Sequence, residues 1–477
     1  MKKTGILIII QIVFLQLHAQ RKYIPAIEPC ACAVRVDSSF STRCGYLLVP
    51  ENRKKPNSSI IKLPFIVVES KSSAKRKDPV LFTSGGPGNS SLGWASGITH
   101  STVINNRDCI AFEQRGTRYA LPNLFGTELA DAIKESYRNN LSKDSMILEG
   151  TKRYKKALQS KGIDLAGYNT DETVTDIHDL LKVLQIDSVN LFGGSYSGGL
   201  MMAVLQRDPS KVRSLVLDSP LPTFIPIDED EPANFMQALT YLFQSCEKDS
   251  ADQQLYGNLK EKFINYFNAI RYKTFSVSYQ EKGTAQPRQI QYTKNELLQA
   301  VLDKLYDRSG IKDVPYMVTE IIKGHHEIYV RRVLDGIFNG YGPSGMRLSV
   351  YCADQTAYHD ESVLKQLHKV YPFLSGFHIN DVYREMCDCW QSPPIHPVTK
   401  QHFYSDKPAL LADGVMDPAC SPLYIDMIHH YMPNSQRLLF TKRSHMAFGI
   451  ESARFIEQFL DKPYIKIVSD LPDVIAY

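Results

Sequence analysis

A serine stands between an apolar run and a small-residue stretch in Val189-Asn190-Leu191-Phe192-Gly193-Gly194-Ser195-Tyr196-Ser197-Gly198-Gly199. Read as strand, tight turn and helix start, the segment lifts the Ser195 hydroxyl clear of its neighbours. The glycines let the helix pack close to the strand. Ser195 is the candidate nucleophile, although Ser197 stands where the G-x-S-x-G pattern has glycine. Such a serine needs a base to take its proton and an acid to orient that base. Two later loops offer them. Pro408 to Gly414 reads as a buried strand followed by Val415-Met416-Asp417-Pro418. After a helix-like stretch, the strand Arg437 to Phe440 leads into Lys442-Arg443-Ser444-His445-Met446. Asp417 and His445 thus each lie just past a strand's C-terminal end, the edge where open parallel sheets bind ligands. Alone, the Asp reads as a turn residue and the His as structural. With Ser195, in this order, they read as a Ser-His-Asp triad. Ser197 is the rival nucleophile. Asp413, within the strand end, and Asp218, after an earlier strand, are rival acids.

Acyl transfer also needs donors for the developing oxyanion. The apolar run Asp78-Pro79-Val80-Leu81-Phe82-Thr83-Ser84 leads into Gly85-Gly86-Pro87-Gly88, whose backbone can approach a substrate closely. The candidate donors are the N–H of Tyr196, directly after the nucleophile, and that of Gly85 or Gly86. Pro87 has no N–H and only stiffens the loop.

The elements that must position these groups follow a strand–helix alternation. Ile60 to Val68, Pro79 to Thr83, Cys109 to Phe112 and Val212 to Leu217 read as strands. Val174, Ile177, Leu180, Leu181 and Leu184 recur at helical spacing, so Asp171 to Leu184 reads as an amphipathic helix feeding the serine-bearing strand. That crossover implies a parallel sheet. From about Pro222 to Tyr404 the apolar spacing turns helical, with a polar hairpin or loop near Thr274 to Tyr292. The organisation expected is an α/β-hydrolase fold: a mainly parallel sheet flanked by helices, with an inserted mainly helical cap. Residues 20–221 and 405–477 form the core and 222–404 the cap. The triad order Ser, Asp, His fits that fold.

The chain resembles the prolyl-aminopeptidase and tripeptidyl-aminopeptidase group of α/β-hydrolases. The resemblance rests on Gly85-Gly86-Pro87-Gly88, Glu113-Gln114-Arg115-Gly116-Thr117, Gly193-Gly194-Ser195-Tyr196, Gly414-Val415-Met416-Asp417-Pro418 and Ser444-His445. It runs from about Cys30 to about Leu460. Cys44-Gly45-Tyr46-Leu47-Leu48-Val49-Pro50 and Tyr351-Cys352-Ala353-Asp354 favour the tripeptidyl branch. Glu113 replaces an Asp, Ser197 and Arg118 replace glycines, and Pro122-Asn123-Leu124-Phe125 lacks a cysteine found there in the group. These departures bear on disulfides and substrate preference more than on the triad.

The resemblance implies a serine peptidase that removes residues or short peptides from a free amino terminus, with no cofactor and no metal. Such an enzyme must hold an α-ammonium group, for which cap carboxylates are the physical means. Asp354 is one candidate. The run Asp228-Glu229-Asp230-Glu231 supplies Asp228, Glu229 and Glu231 as others, against the plain reading of an acidic run as a solvated face. The resemblance also implies a Cys352–Cys387 disulfide. Cys44 is expected to join Cys30 or Cys32. Two other classes stay open: a carboxylic-ester hydrolase with the same triad, and a non-catalytic binding protein on a hydrolase scaffold.

Composition fits a large globular enzyme: 477 residues with 43% hydrophobic residues are enough for more than one core, and the resemblance implies peptides as its substrates. A net charge of +4 is too small to argue for nucleic acid. Lys2 and Lys3 precede an apolar run from Gly5 to about Leu17, and Ala19 offers a small residue for cleavage. Residues 1–19 therefore read as a secretory signal, and the protein as periplasmic or extracellular. The run is short and broken by Gln11 and Gln16, so no stable membrane span is expected; a retained anchor is the alternative. Export permits disulfides among the nine cysteines, an odd count that leaves at least one thiol unpaired.

Overall fold

The computed structural model describes residues 23–477. The secretory-signal reading of 1–19 lies outside the described residues. In chain order the strands are β1 (Ala26–Pro29), β2 (Thr42–Pro50), β3 (Ile60–Val68), β4 (Arg76–Thr83), β5 (Arg107–Phe112), β6 (Val189–Gly194), β7 (Val212–Asp218), β8 (Phe275–Tyr279), β9 (Arg288–Tyr292), β10 (Ala409–Gly414), β11 (Ser435–Phe440) and β12 (Val474–Ala476). All but β8 and β9 form one sheet, ordered β1-β2-β3-β5-β4-β6-β7-β10-β11-β12. From β5 to β11 neighbours run parallel; the strands at each margin are antiparallel. This is the α/β-hydrolase architecture.

The inner strands read as almost unbroken apolar runs because both faces are covered. Their side chains alternate between two cores. Val189, Leu191, Leu215, Leu217 and Leu411 pack on one face with Leu180, Leu181, Met201 and Leu205 of the helices Thr170–Val183 and Tyr196–Arg207. Val216, Leu410 and Ala412 face the other way, towards Ile98, Ile104, Phe455 and Phe459. The Asn169 side chain accepts from Glu172 N (3.0 Å) and so caps the helix that feeds β6.

Between β7 and β10 the chain leaves the sheet. This stretch is mainly helical, including Ile227–Lys248, Leu259–Ala269, Lys294–Tyr306 and Glu327–Asn339, with β8 and β9 as an antiparallel hairpin. It builds its own core around Phe235, Phe263, Phe267, Leu298, Leu334 and Phe373. Its helix Gly345–Tyr351 instead joins the core of the sheet through Met346, Leu348 and Val350. The stretch is therefore anchored on the sheet's C-terminal edge as well as folded upon itself.

Sequence order reverses at β4. β5 lies on one side of it and β6 on the other, so the loops after β4 and β6 diverge and leave a crevice. Gly85-Gly86-Pro87-Gly88 follows β4, and Ser195 follows β6.

Two disulfides form, Cys32–Cys44 and Cys352–Cys387. The pairing of Cys44 with Cys30 is corrected. Cys30 continues the β1–β2 ladder, donating its amide to the Cys44 carbonyl (3.3 Å), and keeps a free thiol. Two residues further on, beyond the ladder, Cys32 lies at a Cα separation of 5.2 Å from Cys44. Cys109 is a buried free thiol in β5.

Candidate active site

Ser195 sits between β6 and its helix with φ 56° and ψ −131°, a strained conformation for a residue with a side chain. Such strain costs about 1–3 kcal/mol and persists only where the surroundings fix it. Here they do: Ser195 N donates to Asp218 O (3.0 Å), and Ser195 O accepts from Gly198 N (2.9 Å) and Leu221 N (3.0 Å). A Cβ on Gly193 would come within 2.4 Å of Ser197 O, so the helix can return this closely only over glycine. Ser195 is half-buried at the crevice, whereas Ser197 is fully buried. The Ser197 hydroxyl is hydrogen-bonded with that of Thr83 in β4. The serine that replaces a glycine is thus spent on tying the start of its helix to the end of β4.

Asp417 and His445 meet. His445 Nδ1 donates to Asp417 Oδ2 at 2.6 Å, which leaves Nε2 as the acceptor. Asp417 is buried, and its Oδ1 accepts from Ala419 N (2.8 Å) and Cys420 N (2.9 Å). Burial works to lower the His445 pKa, but the Asp417 charge and hydrogen bond, with the Asp218 charge, hold it above the ordinary histidine value. The two loops are zipped together: Met416 N donates to Arg443 O (3.1 Å) and Ser444 Oγ to Met416 O (3.1 Å). The His445 loop is also tied to the strand beside Ser195, since Ala447 N donates to Asp218 Oδ1 (2.6 Å). No hydrogen bond joins Ser195 to His445 among the described residues; the buried Cys420 lines the same small cavity as Ser195. Catalytic hydrogen bonds of this kind often tighten only with substrate bound.

The rival acids are placed elsewhere. Asp218 is consumed by the amides of Ala447 and Phe448, and burial pushes it up to about 6. Asp413 is buried behind Asp417 and accepts from Gly414 N (2.7 Å) and Ser219 Oγ (3.0 Å).

The Gly85 loop presses on Ser195. A Cβ on Gly85 would lie 2.7 Å from Gly194 O and 3.0 Å from Ser195 Cβ. Tyr196 N opens the helix after Ser195, one of the amides a helix N-terminus leaves free. Glu113 and Gln114 brace the loop from β5. Glu113 Oε2 accepts from Ser91 N (2.8 Å), and Gln114 Nε2 donates to Ser84 O (2.6 Å). Arg115 is structural: fully buried, it forms a bidentate pair with Asp176, both contacts 2.8 Å.

A small cavity, about 90 Å³, opens over Ser195. Gly86, Tyr196, Glu231 and Asp354 line it, with Arg347 and Tyr306. Asp354 Oδ2 accepts from Thr170 Oγ1, which is also hydrogen-bonded to the Tyr196 hydroxyl (2.7 Å). Asp354 Oδ1 is buried without a partner, and burial pushes the carboxyl up to about 7. Burial, with the Asp228 charge, also raises Glu231 well above the usual carboxylate range. Two of the four expected amine-binding carboxylates therefore reach the cavity. Asp228 and Glu229 are not in its lining. Asp228, one turn before Glu231 on the same helix face, is held by Tyr351, which lines the cavity, and by His359 Nδ1 (2.7 Å). Glu229 accepts from Asp360 N (2.6 Å).

Arg347, Tyr306 and Cys420 were not anticipated from sequence. The Tyr306 ring packs edge-on to His445, centroids 5.6 Å apart. Only the fold brings these distant positions together, and no spacing signal marks them. Among the described residues no cluster of His, Cys, Asp and Glu suits a metal ion, and no helix is long and apolar enough to cross a membrane.

Residues 78–243 match the family model for the alpha/beta hydrolase fold. With the strand order and the turn at Ser195, this sets the class: the chain has the α/β-hydrolase fold. No curated protein sequence matches it. Solved structures similar to it include an esterase from Thermogutta terrifontis, 13% identical over 88% of this chain and 99% of that one, TM-score 0.40. An epoxide hydrolase from Bacillus megaterium is 15% identical over 84% and 98%, TM-score 0.38. Rv0554 from Mycobacterium tuberculosis is 14% identical over 88% and 98%, TM-score 0.40.

Proposed function

We propose that this protein is an exported serine hydrolase that removes residues or short peptides from the amino terminus of peptides. Ser195 is the nucleophile, His445 the general base, and Asp417 the acid that orients the imidazole and stabilises its charged form. His445 Nε2 takes the Ser195 proton as Oγ attacks the scissile carbonyl carbon. The oxyanion is met by the amides of Tyr196 and of Gly85 or Gly86, each such donor worth roughly 10²–10³-fold in turnover. His445 then protonates the leaving amine, and water releases the acyl group from Ser195.

The observation that carries the peptide reading is the unpartnered, buried Asp354 Oδ1 in the same cavity as Ser195 and Glu231. An α-ammonium group offers Asp354 Oδ1 the donor it lacks. Two disulfides and the secretory pattern at residues 1–19 support export.

The test is mass spectrometry of products from a mixed peptide library. Trimming confined to free amino ends is expected. Hydrolysis of simple esters with no trimming of any peptide would replace this reading by that of a carboxylic-ester hydrolase, which the apolar cavity walls Leu221, Ile227 and Val350 would also serve. Neither reaction, with no labelling of Ser195 by a fluorophosphonate, would leave a binding protein.

A further inference from the structure

Behind Asp417 lies a second carboxyl group that the mechanism above does not use. Asp413 ends β10 and is fully buried. Its Oδ1 has two donors, Gly414 N and Ser219 Oγ. Its Oδ2 is buried and has no donor at all. Asp417 N donates to the carbonyl of Gly414, next to Asp413 (3.1 Å), so the two buried carboxyl groups lie close together. Two bare carboxylates cannot share such a place, whereas one proton between them turns a repulsion into a hydrogen bond.

We propose that Asp413 is a positioning residue that keeps its proton and donates it through Oδ2 to Asp417. The Asp417 carboxylate would then be held from two sides, by the Ala419 and Cys420 amides at Oδ1 and by Asp413, while Oδ2 faces His445. The same network reaches the base by a second route. Ser219 gives its hydrogen to Asp413 and accepts from Met446 N (2.9 Å), the amide next to His445. Asp413 thus sets both the acid and the loop that bears the base. Burial and the Asp417 charge both push its carboxyl well above the usual range, which agrees with a retained proton. The other titratable groups facing this pair are His445, Cys420, Tyr477 and Tyr306, whose phenol burial pushes well up, with Asp218 near His445. Burial pushes the Cys420 thiol and the Tyr477 phenol up, so both stay neutral and leave Asp417 as the charge here.

The inference rests on the serine-hydrolase reading but not on the peptide substrate, so an activated ester suffices as reporter. Asp413→Asn keeps a donor where the proposed proton is and an acceptor for Ser219; Asp413→Ala keeps neither. We expect kcat/KM of D413N to stay within about threefold of the unaltered protein, with its acidic limb at the same pH. D413A should lose about tenfold or more. An acidic limb moved down by a pH unit or more in D413N would show that Asp413 is charged and overturn the proposal. So would equal losses in both variants when circular dichroism shows both folded. If D413A does not fold, the D413N limb alone decides. Ser195→Ala is run beside them: if it retains ester hydrolysis, the serine-hydrolase reading has failed, and not the role of Asp413.

Discussion

Arg347 donates through Nη1 to the carbonyl oxygen of Gly86, 2.5 Å away. The residue comes from the inserted helix Gly345–Tyr351, and its acceptor belongs to the loop that offers oxyanion donors. Nε and Nη2 go to Asp381 (2.5 Å) and Asn380 (3.0 Å), so the guanidinium clamps the loop against the inserted segment. Arg347→Met should lower kcat by up to about 10²-fold, the scale of a small misplacement at a reacting centre, while fluorophosphonate still labels Ser195. Steady-state kinetics on an ester checks it; an unchanged kcat would remove the clamp from the mechanism.

Ser195→Ala should abolish fluorophosphonate labelling. Ser197→Ala should keep it and instead cost about 1 kcal/mol or more of stability, because Thr83 loses its buried partner. Labelling gels and thermal melts of the two variants separate the roles. Labelling that survives only Ser195→Ala reverses them.

The base must be neutral to accept a proton. A raised His445 pKa keeps the ring protonated to higher pH, so activity should fall away on acidification already above the ordinary histidine value. Asp417→Asn removes the charge that raises it. The acidic limb should move to lower pH and turnover drop by about 10⁴-fold. A pH–rate profile of both forms gives the answer, and a limb that stays in place counts against Asp417 as the partner.

Glu231→Gln and Asp354→Asn should each raise KM for peptides with a free amino end by about tenfold or more, and leave N-blocked esters unaffected. Equal effects on both substrates would remove these carboxylates from amine binding.

Peptide mapping without reductant should recover Cys32 linked to Cys44 and Cys352 linked to Cys387, with Cys30 alkylated. A Cys30–Cys44 peptide would contradict this pairing.

The local chemistry was legible from residue order. Ser195, Asp417 and His445 each follow an apolar run by a residue or a few, and such runs become strands whose C-terminal ends share one edge. The inserted segment was legible only as helical. Asp228, Glu229 and Glu231 share one short acidic run, and sequence cannot tell which of them points inward. In the helix Ile227–Lys248, Glu231 reaches the cavity, while Asp228, one turn earlier on the same face, is taken up by Tyr351 and His359. Cys30 and Cys32 were equal partners for Cys44 until the ladder consumed the first and left the second, beyond it, to pair.

By itself the sequence determined the sheet, the turn at Ser195 and the order of the three reactive groups, because apolar periodicity and glycine placement act over a few residues. The tertiary structure alone decided which carboxylates face Ser195 and that Arg347 holds the Gly86 carbonyl. Those contacts join residues from separate elements, and packing of the inserted helices, which leaves no local pattern, sets their distances.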